Sequence, residues 1–465
     1  MRQRQQIAIH LLGTLLLFST TARPVFAQSP SPADPPSDLA VAADQQPPEA
    51  APVTPPEDLG FRFGGYARSG FGDDSHGKGQ QPFQAPLADA KYRLGNEAET
   101  YLETLFRYGA NTEGDNPGYF DTRVRLAYVT PTSETSTYST TFSLREAYVV
   151  GRNLWASQPR ATVWAGARFY DRQDVHINDF YYRDPSGFGG GIEDVALGKF
   201  AKFAAAWIGG TQDELESTGV PASDLFRFNK NTVDLRLYDL PVGRSRASVA
   251  VDLSQFNGDQ VRTLGAAPIL VEDSVGASET AIVETPFTGG RNKVALQYGK
   301  GAAYDFRSVV TNPEGRTFQP GERVDIDALW RFRVVNDFLI DHHGPWALQG
   351  VAVWQEMDNG AAANNRIRWV SVGARPVRQL SRYFSMAFEA GWDYTKQSDL
   401  PGGSLFKLTA APQITPAFKF LSRPSLRAFA TWARWTDAYR GRIAAATDPT
   451  AVRGAAFGVQ METWW

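Results

Sequence analysis

The stretch Val459-Gln460-Met461-Glu462-Thr463-Trp464-Trp465 alternates apolar and polar residues with a period of two. Val459, Met461, Thr463 and Trp465 share one face of a strand. Gln460, Glu462 and Trp464 share the other. A two-faced strand that runs out on an aromatic is how an outer-membrane β-barrel closes. The same alternation appears far upstream. In Phe61 to Phe71, the odd positions are Phe, Phe, Gly, Ala, Ser and Phe, while Arg62, Tyr66 and Arg68 lie on the even face. Leu102, Thr104, Phe106 and Tyr108 oppose Tyr101, Glu103 and Arg107. Val124, Leu126 and Tyr128 oppose Asp121, Arg123 and Arg125. The longest case sets Phe384, Met386, Phe388, Ala390, Trp392 and Tyr394 against Ser385, Glu389 and Asp393. An aromatic-ended apolar face of that length suits a lipid-facing strand.

Polar stretches rich in Gly, Asn, Asp or Pro, such as Glu356 to Asn365 and Thr395 to Gly403, separate these strands and read as turns and surface loops. No segment shows a helical period of comparable quality. The body from residue 61 to 465 is about 405 residues. At roughly 22 residues per tilted strand with its share of connections, that predicts an all-β, transmembrane antiparallel barrel of about 18 strands. A barrel so wide has a lumen that its own side chains cannot fill. Something must narrow it. The segment from Trp164 to Asp194 becomes too long, polar and Gly-rich after Asp174 to be one strand. It reads as a strand (Ala161 to Tyr170) followed by an inward-folded constriction loop.

The start of the chain is consistent with export. Residues 2–27 carry Arg2, Arg4 and Arg23 and no acid, an apolar run around Leu15-Leu16-Leu17, and a small-residue cleavage site at Val25-Phe26-Ala27. Residues 1–27 read as a signal peptide. Residues 28–60 hold nine of the 29 prolines, six acids and no base, and read as a disordered linker. The mean hydropathy of -0.33 does not argue against a membrane, because strands with one lipid face give a weak signal. There are no cysteines, so an exported chain of this length must be held by something other than disulfides. A closed sheet, hydrogen-bonded on both edges of every strand, would suffice. Setting aside the three signal arginines takes the net charge from -3 to -6, and the six acids of 28–60 account for all of it. The neutral body makes nucleic acid an unsuitable partner.

Three segments concentrate aromatic and charged residues: Gly65 to Gly70, Lys91 to Glu103, and Trp164 to Asp194. Parity places Tyr66 with Arg68, and Tyr101 with Glu103, on the polar face. Aromatic planes pack on the C–H faces of sugar rings, while arginine and carboxylate exchange charge-assisted hydrogen bonds with hydroxyls. The alternative is a barrel interior whose arginines and acids neutralise one another.

These segments, with Phe142 to Ala147, the Ser422-Arg423-Pro424 turn and the terminal Gln460 to Trp465, resemble maltoporin, the LamB-type outer-membrane sugar porin. The most specific match is Arg168-Phe169-Tyr170 with Asp174-Val175-His176 and Asp179-Phe180-Tyr181-Tyr182. The resemblance implies an 18-stranded homotrimer in the bacterial outer membrane that passes oligosaccharides by facilitated diffusion. It implies an aromatic row at Tyr66, Tyr101 and Trp464, with Tyr138 as the aromatic lent to a neighbouring subunit. It further implies a polar track of Arg68, Arg93, Glu103, Arg145, Arg172, Asp179 and Tyr181. Two slide positions fall on Arg291 and Leu421, which are not aromatic, although Phe420 adjoins the second. A general porin, or one for another small sugar such as sucrose, therefore stays open as an alternative.

No cofactor or metal is expected. The spacing of Asp174, His176 and Asp179 is unspecific for a metal, and His176 reads as a hydrogen-bonding histidine. His342-His343, before Gly344-Pro345, reads as surface. Gly187 to Gly191 follows no strand–helix unit and is not a phosphate cradle. No nucleophile–base pairing suggests an enzyme. A soluble glycan-binding β-protein would need hydrophilic outer faces, which the Phe384 to Tyr394 strand does not have.

Overall fold

The computed structural model describes residues 59–465 apart from 114–116, 131–140, 213–227, 262–266, 309–319 and 444–447. The predicted signal peptide, nearly all of the predicted linker, and Tyr138 lie outside the described residues.

Among the described residues, eighteen strands form one sheet in which sequence neighbours pair antiparallel. The first strand, Gly60–Asp74, pairs with the second, Thr100–Asn111, and also with the last, Arg453–Trp464. The sheet is therefore a closed barrel with no free edge. Trp465 extends the seam: its N–H donates to the Gly65 carbonyl at 3.1 Å and its own carbonyl accepts from the Gly65 N–H at 3.0 Å. Two-residue turns such as Gly344-Pro345 join strands at one rim. Longer connections, including 75–99 and 169–186, join them at the other, which is the extracellular rim of a barrel of this kind.

The alternation read from the sequence is the alternation seen. Along Ser425–Trp435 every second residue is buried and every other one exposed. Phe384, Phe388 and Trp392 point out, while Ser385, Glu389 and Asp393 are buried on the inner face. Phe61, Phe142 and Trp207 are each more than 60% exposed on the outer wall. Lipid is the only medium that suits such a band. His342 and His343 are exposed, as expected.

The lumen is narrowed by two segments, of which the sequence reading identified one. The expected constriction loop forms a small hairpin, Gln173–Val175 with Phe180–Arg183, around a 3-10 turn at His176–Asn178. Its flanking strand is Thr162–Arg168, shorter than Ala161 to Tyr170, and the Gly-rich end of the segment is itself a barrel strand, Gly187–Leu197. Buried Arg183 anchors the hairpin through Asp171 at 2.8 Å, Asp252 at 2.6 Å, and Asp234.

The second inward segment runs between the first two strands. Phe83, Ala85, Ala88, Ala90, Tyr92 and Leu94 join Val175, Ile177, Phe180 and Tyr182 in one buried cluster that includes Trp369, Phe429 and Trp435 of the wall. The hydrophobic core of this protein thus sits inside its barrel. Close packing explains two glycines. A Cβ at Gly391 would come within 2.0 Å of the Tyr92 ring, and Gly95 (φ +59) has Thr431 Oγ1 2.6 Å from where its Cβ would be.

Candidate functional site

Across the closing strand Arg453–Trp464 from this filled sector, the inner faces of the first four strands stay partly open. Tyr66 is the direct cross-strand partner of Trp464 and also of Glu103, and Arg68 is the partner of Tyr101. Barrel closure therefore brings residues nearly 400 positions apart onto one patch. The Tyr66 and Tyr101 rings lie 6.1 Å apart, tilted by 57°. The Arg68 guanidinium sits 5.1 Å from the Tyr101 ring centre. Trp464 faces inward with the Arg423 guanidinium 4.6 Å from its ring, and Trp465 faces outward, 6.0 Å from Phe63. The parity of the two final tryptophans is as the alternation predicts.

The charged side chains around these rings are largely paired. Arg68 contacts Glu99 at 2.7 Å, Asp179 at 3.6 Å and Glu97 at 3.7 Å. Arg93 lies between Glu97 (3.1 Å) and Glu462 (3.2 Å), and donates to the Tyr66 hydroxyl at 3.0 Å. That hydroxyl donates in turn to Glu462 at 3.0 Å. The Tyr66 polar end is thus fully occupied, leaving the ring as its available surface. Glu103 accepts from the Tyr101 hydroxyl and from Arg125 at 2.9 Å.

The expected constriction residues also converge. The Arg172 guanidinium is sandwiched between the Phe169 ring (4.1 Å) and the Tyr181 ring (3.9 Å), within ion-pair range of Asp184 at 3.3 Å. Arg145 and Arg125 approach the same Phe169 ring at 5.4 and 5.6 Å. Arg145 reaches it through a β-bulge. Arg125 pairs with Glu146 and Leu126 pairs with Leu144, so Arg145 is the extra residue. A bulge next to a site re-aims a side chain. Here it lets Arg145 and Glu146 both serve the lumen, which simple alternation forbids. Glu146 binds Arg125 at 2.5 Å and accepts from the Phe169 N–H at 3.0 Å, while Arg145 is exposed.

Phe169, Arg125 and Glu146 were not singled out as site residues from the sequence. Phe169 stands inside the Arg-Phe-Tyr motif, but nothing in the motif says that three guanidiniums would surround its ring. Of the two slide positions that are not aromatic, Arg291 pairs with Asp337 at 2.9 Å. Leu421 packs at the edge of the buried cluster, and neighbouring Phe420 lies edge-on to His176, 6.5 Å between centres. His176 is structural, as expected. Its Nε2 accepts from Arg423 at 2.9 Å, and burial among Arg93, Arg423 and Arg375 holds it well below the usual imidazole range.

Asp174, on the hairpin, is different. Burial, with Asp179 and Asp337 nearby, outweighs Lys293 and raises its carboxyl to about 6. It sits on the hairpin that narrows the lumen.

A closed antiparallel barrel with an apolar outer wall, a charged lumen and inward loops is a membrane-spanning channel of the porin class. Residues 61–465 match the LamB porin family, and the chain belongs to that family. The protein is accordingly an outer-membrane porin. Solved barrels of similar fold include OccAB4 of Acinetobacter baumannii, at 7% identity over 89% of this chain and 100% of that one, TM-score 0.45. OpdK of Pseudomonas aeruginosa, solved with vanillate, shows 9% identity over 87% and 98%, TM-score 0.43. OmpT of Vibrio cholerae shows 7% identity over 87% and 97%, TM-score 0.39.

Proposed function

We propose that this porin conducts sugars, from short saccharides to maltodextrin-like oligosaccharides, by facilitated diffusion along Trp464, Tyr66 and Tyr101. The observation that carries this reading is the half-open state of those three rings beside arginines and carboxylates. A sugar ring stacks on an aromatic face while its hydroxyls exchange hydrogen bonds with charged groups at the edge. Arg68, Arg93, Glu103, Arg145, Arg172, Asp179 and Tyr181 form the polar track. Arg145, exposed over Phe169, is the member best placed to bind a passing hydroxyl.

The row is shorter than a long glucan needs, because Arg291 is committed to Asp337 and offers no platform. That observation favours a second reading, a porin with weak selectivity for a small sugar. In either case the chain works as a homotrimer after export by residues 1–27, with 28–60 a linker and Tyr138 the aromatic lent to a neighbouring subunit. Planar-bilayer recording with malto-oligosaccharides of increasing length and with sucrose tests the proposal. Current block that strengthens with oligosaccharide length supports the long-sugar reading. Block by sucrose alone supports the second, and no block by any sugar contradicts both.

A further inference from the structure

The outer wall carries a charge arrangement that the channel does not use. Arg368 and Lys396 are direct cross-strand partners, and so are Arg434 and Arg453. All four are exposed, and alternation fixes them on the outer face. Arg368 is flanked by buried Ile367 and Trp369, Lys396 follows outward Trp392 and Tyr394, Arg434 follows outward Trp432, and Arg453 precedes outward Phe457 and Val459. Like charges directly opposite one another destabilise a sheet. Arg368 has Glu356 at 3.3 Å, but no carboxylate is paired with Lys396, Arg434 or Arg453 among the described residues. Each of the four lies within three residues of a strand end, at the rim of the long connections 359–365, 398–402 and 436–452.

Just below them runs an aromatic belt. Trp392 stacks on Tyr394 at 6.3 Å, and Phe406 meets Trp432 edge-on at 6.2 Å. Aromatics mark the level of the membrane interface, so the four cations stand at headgroup height in the outer leaflet. Two like-charged pairs, outward, short of acidic partners and level with headgroups, call for an anion supplied from the membrane. Guanidinium groups grip phosphate bidentately, and repulsion within each pair turns to attraction when an oxyanion lies between them.

We propose that Arg368 with Lys396, and Arg434 with Arg453, bind phosphate groups of an outer-leaflet lipid. The proposal concerns the outer wall and is independent of which solute passes through the lumen.

The test uses the purified full chain in neutral detergent, titrated with bisphosphorylated lipid A and with the same lipid dephosphorylated. Wild type binds the phosphorylated lipid more tightly. The variant R368Q/K396Q/R434Q/R453Q loses about tenfold or more of that preference. Millimolar inorganic phosphate does not displace the lipid, because the site also uses the acyl chains beside the aromatic belt. Heat-modifiable migration and single-channel conductance of the variant stay as in wild type, and in detergent alone the variant is no less heat-stable, since repulsion has been removed. The double variants R368Q/K396Q and R434Q/R453Q serve if the quadruple variant does not fold. Equal binding of the two lipids by wild type would overturn the proposal. So would full displacement by inorganic phosphate, or a variant that changes oligomeric state while keeping the lipid preference.

Discussion

Two sectors of the same barrel wall, built by the same alternation, end in opposite states. On the strands Arg366–Gln379, Phe384–Gln397, Gly403–Ile414 and Ser425–Trp435, most inward charged groups are buried and paired. Glu389 accepts from the Leu94 N–H at 3.0 Å and binds Arg375 at 2.6 Å and Lys407 at 2.9 Å, and Lys407 donates to the Leu94 carbonyl at 2.7 Å. Tyr92 covers Ser371, hydroxyl to hydroxyl at 2.9 Å. On the first four strands, by contrast, Arg68, Tyr101 and Arg145 keep surface open to the lumen, and Asp179 of the hairpin faces them with its side chain 34% exposed. The first of these two sectors is a core that happens to line a channel. A solute that follows the open sector takes an off-centre path, and charge alone does not mark it, since both sectors are rich in ion pairs. What distinguishes the open sector is aromatic and guanidinium surface left exposed to the lumen, for its charges too are largely paired.

The strongest way to break this contrast is to loosen the filled sector. Glu389→Ala strands Arg375 and Lys407 without their carboxylate and should destabilise the inward 80–99 segment by about 3–5 kcal/mol. Single-channel conductance should rise and become noisier while the barrel stays folded. In the open sector the effects are smaller and fall on the solute. Trp464→Ala and Tyr101→Ala should each weaken sugar-induced current block by about two- to twelvefold, the equivalent of one aromatic platform. Arg145→Gln should weaken block by about 1 kcal/mol, roughly fivefold, with no measurable change in thermal stability because the guanidinium is exposed.

The smallest expected effect is on ionic selectivity with pH. Asp174 is neutral well below about 6 and charged above it. Because its folded value is raised, its burial is best tolerated below the ordinary carboxylate range, and stability is lost as pH rises through about 6. Reversal potentials should shift toward cation selectivity between pH 5 and 7, and Asp174→Asn should flatten that shift. A pH-independent reversal potential in wild type would remove Asp174 from the solute path.

Much of this was legible in the chain, and the reasons are local. Strand parity is a two-residue rule, so it located the outward Phe384, Phe388 and Trp392, the inward Tyr66, Tyr101 and Glu462, and the opposite faces of Trp464 and Trp465. The inward hairpin was visible because polar, Gly-rich residues interrupt a strand pattern at Asp174. The second inward segment was not seen. Pro82-Phe83, Pro86-Leu87 and Ala88-Asp89-Ala90 have neither period, and an apolar stretch without a period is the mark of a buried irregular segment rather than a surface loop. Arg145 was expected in the track only through the family resemblance. The bulge that brings it and Glu146 to the same side depends on cross-strand register with Arg125 and Leu126, which no single segment encodes. The Phe169 cluster likewise depends on contacts between distant elements.

The chain has no cysteine, so single cysteines can be introduced without background. The most direct test of the off-centre path compares Arg145→Cys with Ser371→Cys in a planar bilayer, using a small, charged, membrane-impermeant thiol reagent. Arg145→Cys should react quickly, lose current on reaction, and be protected by added oligosaccharide. Ser371→Cys, beneath Tyr92, should remain unmodified over the same time. Equal reaction rates at the two positions, or faster reaction at Ser371→Cys, would contradict the account.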